Sequence, residues 1–166
     1  MNERNEVCKL ENGEILFLNG NYKEVKNQMA FYSVELSKIC EKILFVDTIN
    51  CINPHHPVYQ IPDQEFIFKK IYCVRTPKHY DLLARLNTAR HFIKRRNIGA
   101  LLINSLTLVF EDATEDEVGP ILRQILRVVK ELTEEFGLYT IVGQTPRDSI
   151  TVRQAQATLN VAKKVI

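Results

Sequence analysis

The residues with the strongest claim to chemistry stand at positions 20–27, GNYKEVKN, between the apolar stretch EILFLNG and a run of helical periodicity. A backbone loop that cradles phosphate reads G-x-x-x-x-G-K-[ST], its amides facing the anion, its Lys reaching the outer phosphates and its hydroxyl ligating magnesium. Gly20 and Lys26 keep the first Gly and the Lys. Val25 stands where the second Gly belongs and Asn27 where the hydroxyl belongs. A β-branched side chain disfavours positive φ and blocks the backbone's approach to phosphate. The stretch therefore reads as a nucleotide site taken apart.

Such a site needs strands and helices in strict alternation, and the chain supplies them. A strand is predicted at 14–19. Val25, Met29, Tyr32, Leu36 and Ile39 then recur at steps of four and three, which predicts a helix over 24–40. KILFVDT, at 42–48, is an apolar run of strand length, as buried parallel strands read. Pro54, Pro57 and Pro62 leave room for at most a short helix before the next strand, KIYCVRT at 70–76. Thr76 and Pro77 form a helix start, with hydroxyl cap and Pro at the first position, for a helix running to about Arg96. Asn97 and Gly99 end it, and Ala100 opens a buried strand to Asn104 that runs on into a loop. Val118, Ile121, Leu122, Ile125, Val129, Leu132 and Phe136 mark the clearest helix, with Pro120 assigned to its first turn and Gly137 to its cap. LYTIVGQTP is a last apolar strand. The tail, 151–166, suits either a helix or an edge strand.

This alternation predicts an α/β fold with a mainly parallel sheet in one domain spanning 1–166, of which 1–12 is a polar lead-in. The 166 residues are 45% hydrophobic and 25% charged, with net charge +2. Near-neutral charge excludes bulk attraction to a polyanion and leaves only local patches. No apolar run approaches a membrane span and the first residues lack a secretory core, so a cytoplasmic location is expected. Cys8, Cys40, Cys51 and Cys73 are dispersed without a C-x-x-C pair, the pattern of reduced, buried thiols.

The order of parts resembles the RecA/RadA recombinase core over nearly the whole chain. FVDTINCINP is similar to the archaeal RadA segment I-D-T-E-N-T-F-R-P, and KIYCVRTPKHYDLLARL resembles N-I-Y-V-A-R-x-Y-N-x-x-H-Q-x-x-L. ALLINSLTLVF looks like the V-D-S-x-x-x-x-F strand, TIVGQTP like V-V-x-T-N-Q-V, and KNQMA overlays K-T-Q-L-A. ATLNVAKK is similar to A-T-L-R-V-x-L-K, which tips the tail toward strand. The resemblance implies a three-layer RecA-like core and locates two further losses. Ile49 stands where the family has its water-activating Glu, and Asn104 where a strand-end Asp holds the magnesium shell. With Val25 and Asn27, four independent changes imply that ATP hydrolysis is absent and that no cofactor is held. Gln144 falls where the family couples nucleotide state to its second DNA loop, and a strand-terminal hydrogen-bonding role is the simpler reading.

Arg90, Lys94, Arg95 and Arg96 crowd one helix end, and Arg147 and Arg153 fall in the segment matching the second DNA loop. All six could contact phosphates of single-stranded DNA, although basic residues at a helix C-terminus suit the macrodipole in any protein. Glu111, Asp112, Glu115 and Asp116 read as an acidic lead into a helix. His55 and His56 lack companions for a metal site. The resemblance implies a RadA paralogue without ATPase activity, acting in homologous recombination and DNA repair by binding a RadA-type recombinase or another paralogue, as a monomer or small oligomer. Competing readings are a module that binds ATP or DNA, and a scaffold subunit in an ATPase-dead RecA-like ring acting on RNA.

Overall fold

The computed structural model describes residues 10–50 and 52–165. Five strands form one parallel sheet: β1 (Ile15–Asn19), β2 (Lys42–Asp47), β3 (Ile71–Arg75), β4 (Ile98–Asn104) and β5 (Tyr139–Gln144), in the spatial order β1-β5-β4-β2-β3. Side chains alternate across a strand, so each inner strand serves two cores. Ile43 and Phe45 of β2, Ala100 and Leu102 of β4, and Ile141 of β5 face α1 (Tyr22–Ile39). Leu44, Val46, Leu101, Ile103 and Val142 face the opposite layer. That layer holds α3 (His79–Arg96), α4 (Glu115–Phe136) and α5 (Ile150–Ala162). The result is three layers, helix, sheet and helix, around the parallel sheet that the alternation predicts.

A short α2 (Gln64–Phe68) and a 3-10 turn at Pro57–Tyr59 interrupt the proline-rich connection. Together they pack on the outer side of α1. Tyr59 is buried with Ala30, Val34 and Ile67, its hydroxyl 2.8 Å from Ser33 Oγ. Helix α1 is thus covered on two sides, which explains why eight of its residues are buried, including Ser33 and Ser37.

Four details depart from the sequence reading. Thr76 does not cap α3: its amide donates to Asp47 O at 3.2 Å, extending the ladder beyond β3, and the helix starts at His79 with Lys78 as an N-cap that makes no side-chain bond. Pro120 sits in the second turn of α4 and removes the bond to the Asp116 carbonyl. The run after β4 is not an open loop, because a 3-10 turn buries Leu108, Val109 and Phe110. The tail is helix rather than strand. Val152, Ala155 and Leu159 lie fully buried at helical spacing, and that burial outweighs the likeness to a strand segment. Asn97 and Gly137 do take the left-handed conformation at the ends of α3 and α4, with φ of 51° and 57°.

Candidate functional site at the carboxyl edge of the sheet

In open α/β sheets, ligands bind outside the carboxyl ends of the strands, where the order of connection reverses. Here that edge gathers Gly20 after β1, Asp47 and Thr48 at the end of β2, Asn104 and Ser105 at the end of β4, and Gln144 and Thr145 at the end of β5. The sequence reading placed Gly20, Asn104 and Gln144 at one edge, and the topology agrees. The chemistry that they were assigned depends on what surrounds each one.

Only Gly20 and Asn21 separate β1 from α1, so positions 22–25 of the supposed phosphate loop are helical. Asn21 is the N-cap: its Oδ1 accepts from Glu24 N at 3.1 Å, and Glu24 Oε2 accepts from Asn21 N at 2.8 Å. This reciprocal pair is a capping box. The first amides of a helix are its anion-binding surface, and here the chain's own carboxylate holds one of them. A Cβ at Gly20 would lie 2.7 Å from Glu24 Oε2, so the glycine makes room for that carboxylate. Val25 points inward and is fully buried. Its Cγ1 would lie 2.7 Å from a Cβ on Gly143, which explains the glycine inside β5.

Lys26 is half-buried, its ammonium 5.9 Å from the centre of the Tyr22 ring. Asn27 Oδ1 lies 2.9 Å from His56 Nε2, and His56 Nδ1 accepts from Val58 N at 3.3 Å. With Nδ1 accepting, the ring proton sits on Nε2 and is donated to Asn27. Burial and then the nearby Lys26 charge push the imidazole pKa below its ordinary value, which favours this neutral form. These groups line a cleft of about 720 Å³ between the outer face of α1 and the 56–58 segment, with Tyr22, Phe31 and Val58. The cleft therefore lies on the flank of α1. Asn27, expected as a failed metal ligand, fastens the prolyl connection instead.

Ile49 is half-buried against the α1 core, and its carbonyl accepts from the Tyr22 hydroxyl at 3.4 Å. Two residues earlier stands Asp47, which the motif reading passed over because it sought a carboxylate at position 49. Asp47 is 2% exposed, and its oxygens accept from Ile49 N at 3.3 Å and Ile52 N at 3.2 Å. It thereby holds the turn after β2, where Asn50 has a φ of 56°. Asn104 is fully buried, and neither of its amide atoms finds a hydrogen-bond partner among the described residues. Thr48 Oγ1 lies against its backbone carbonyl and donates to Ser105 O at 3.1 Å. Gln144 has the strand-terminal role expected of it: its Nε2 donates to Asn160 at 3.2 Å and its Oε1 accepts from Lys163, tying α5 to the sheet.

The six basic candidates fall at two sites. Arg147, past the end of β5, makes a two-pronged contact with Glu111 at 2.9 and 3.0 Å, which neutralises the charge offered to phosphate. Arg153 is exposed on α5 rather than in a loop. Arg90 pairs with Glu135 at 2.8 Å, while Lys94, Arg95 and Arg96 occupy the last turn of α3, at the opposite end of the sheet. Arg96 stacks over Tyr72 at 5.7 Å. Glu115 and Asp116 lie in the first turn of α4, as the acidic lead predicts, while Lys78 lies 3.6 Å from Asp112.

Cys40 is buried and its thiol is pushed up to about 11, chiefly by burial. Cys73 is exposed, against expectation, because β3 is an edge strand. Cys8 and Cys51 lie outside the described residues. The His55 amide donates to Asn53 Oδ1 at 3.0 Å. Among the described residues no cluster of His, Cys, Asp or Glu could hold a metal ion, and no helix is long and apolar enough to cross a membrane. Compared with protein-family models and with curated proteins, the chain gives no match.

Proposed function

We propose that this protein is a RecA-type paralogue without nucleotide chemistry, serving homologous recombination and DNA repair by binding a RadA-type recombinase or a second paralogue. The observation that carries the non-catalytic part is the two-residue turn from β1 into α1, where Glu24 closes the helix N-terminus that a phosphate would occupy. Val25 in the core, Asn27 on His56 and Asn104 without charge support the same reading. The recombination part is carried by resemblance, from the FVDTINCINP and TIVGQTP segments. A fold alone does not fix a function.

Two measurements test the halves separately. Calorimetric titration with Mg-ATP should give no binding heat, and micromolar affinity would overturn the non-catalytic reading. Capture of partners from the native cell with the full chain as bait should recover a recombinase or a paralogue of one. Recovery of a tRNA-modifying complex in its place would move the protein to the class of ring scaffolds.

A further inference from the structure

The outer face of α1 carries positive charge that the fold leaves unpaired. Lys23 and Lys26 stand one turn apart on it, and among the described residues neither meets a carboxylate within ion-pair distance, whereas Lys38, Lys69, Lys78 and Lys130 all do. Like charges at that spacing on a helix repel. Both lysines border the cleft of about 720 Å³ between α1 and the 56–58 segment. Among its described lining residues the one carboxylate is Glu24, and the capping box holds it on Asn21 N at 2.8 Å. The acid that closes the helix N-terminus is thereby committed to the cap, and the lining keeps an excess of positive charge.

The walls of the cleft are flat and apolar. The Lys26 ammonium lies 5.9 Å from the centre of the Tyr22 ring, whose hydroxyl reaches Ile49 O. Phe31 meets Tyr32 edge-on at 5.7 Å, and Pro57 and Val58 come from the facing segment. Asn27 adds a directed donor, because its Oδ1 is taken by His56 Nε2 and the amide nitrogen remains. An ammonium and an amide N–H together suit one carboxylate, and the rings suit a planar body. A phosphate dianion suits the cleft less, since it would face Glu24 and the Asn21 amide is already occupied. A recess of similar volume beside Arg147, about 730 Å³, lacks both features: Glu111 neutralises the arginine, and no aromatic ring is among its described lining residues.

We propose that the cleft beside α1 binds a planar aromatic monocarboxylate, its carboxylate between Lys26 and the Asn27 amide nitrogen and its ring against Tyr22, Phe31 and Val58. Concave, largely apolar sites with a few convergent polar groups are where small ligands bind. The inference rests on the lining of the cleft and not on the recombination reading.

Indole-3-carboxylate is the probe. Titrated into the full chain and followed by NMR, it should shift the His56 imidazole, the Tyr22 and Phe31 rings and the Val58 methyls along one saturable curve, with a Kd on the order of 10⁻⁴ M for a ligand of that size. Lys26→Gln should weaken binding about tenfold. Asn27→Asp, which keeps an oxygen for His56 and adds a negative charge, should weaken it at least as much. Circular dichroism melts check that both variants fold, and either one decides the matter if the other does not. Indole itself should bind at least about tenfold more weakly than its carboxylate, and phenyl phosphate and AMP no better than indole. Absence of saturation below about 5 mM, a Kd indifferent to Lys26→Gln and Asn27→Asp, or indole as tight as its carboxylate would each overturn the proposal. So would a preference for phenyl phosphate. A preference for AMP would overturn the non-nucleotide reading as well, whereas failure of indole-3-carboxylate alone leaves that reading standing.

Discussion

Helices α1 and α4 begin in the same way. One opens Asn21-Tyr-Lys-Glu24-Val25 and the other Thr114-Glu-Asp-Glu117-Val118, each with the glutamate accepting from the N-cap amide and a fully buried valine in the next position, although only Asn21 accepts from the glutamate's amide in return, the Thr114 hydroxyl donating to the Glu117 carboxylate. They differ in the residue before the cap. Ahead of α4, Ala113 packs against the core that Val118 enters, in the manner of a hydrophobic staple. Ahead of α1 stands Gly20, where any Cβ would collide with the Glu24 carboxylate. The spacing Gly20, Val25, Lys26 that reads as a worn phosphate loop is thus, in this fold, an ordinary helix start that needs its glycine for the cap.

This equivalence can be broken by experiment. The largest effect should come from the valines: Val25→Gly and Val118→Gly should each cost about 3–4 kcal/mol, combining a core cavity with glycine in a helix. Urea melts measure both. If Val25→Gly proves nearly neutral, or gains ATP affinity, the two starts are not alike. Next, Asn104→Asp would introduce the carboxylate that a magnesium site requires but bury it without a partner, at a cost of about 3 kcal/mol. Stability unchanged at neutral pH would mean that the position is wetter than its burial indicates.

Smaller effects sharpen the comparison. Asn21→Ala and Thr114→Ala should each lose about 1 kcal/mol, additively, since the caps share no partners. A loss confined to Thr114→Ala would mean that the α1 box is idle. Last, the backbone amide of Thr114, and then its hydroxyl, hold the Glu117 carboxyl below its ordinary pKa. A depressed acid contributes stability that is present above its unfolded pKa and lost as pH falls through the folded one. The gap in denaturation midpoint between the parent and Glu117→Gln should therefore shrink as pH falls below the ordinary carboxylate range. A gap that persists would assign the stabilisation to packing.

The layers were legible because apolar spacing is strong in this chain. Val25, Met29, Tyr32 and Leu36 are all buried in α1, and the α4 series fixes that helix through to Gly137. The carboxyl edge was legible as a place, since Gly20, Asn104 and Gln144 do converge there. Its chemistry was not, because motif matching counts positions and is blind to where a helix begins. Nothing in the spacing says that Tyr22 is already helical or that Glu24 folds back on Asn21. Asp47 escaped for the opposite reason, as its service to Ile49 and Ile52 is visible only once the turn has closed. Arg147 was read as free charge because its partner, Glu111, lies far away in the chain. The tail misled through a likeness of eight residues, where Val152, Ala155 and Leu159 carried the better signal.

Strand β1 finds its only described neighbour in β5, so that Ile15 comes to lie beside Thr140. Strand β1 leaves the ribosome well before β5 and must therefore wait for it, an interval of roughly 10 s at ordinary rates of synthesis. Helix α1, which packs across β4 and β5, waits with it. The segment from β2 to β4 can assemble earlier through nearer pairings, whereas β1 and α1 close the structure in a late, long-range step. During that interval ILFLN is an exposed apolar strand, and a chaperone that binds extended hydrophobic segments would find it there in the nascent chain.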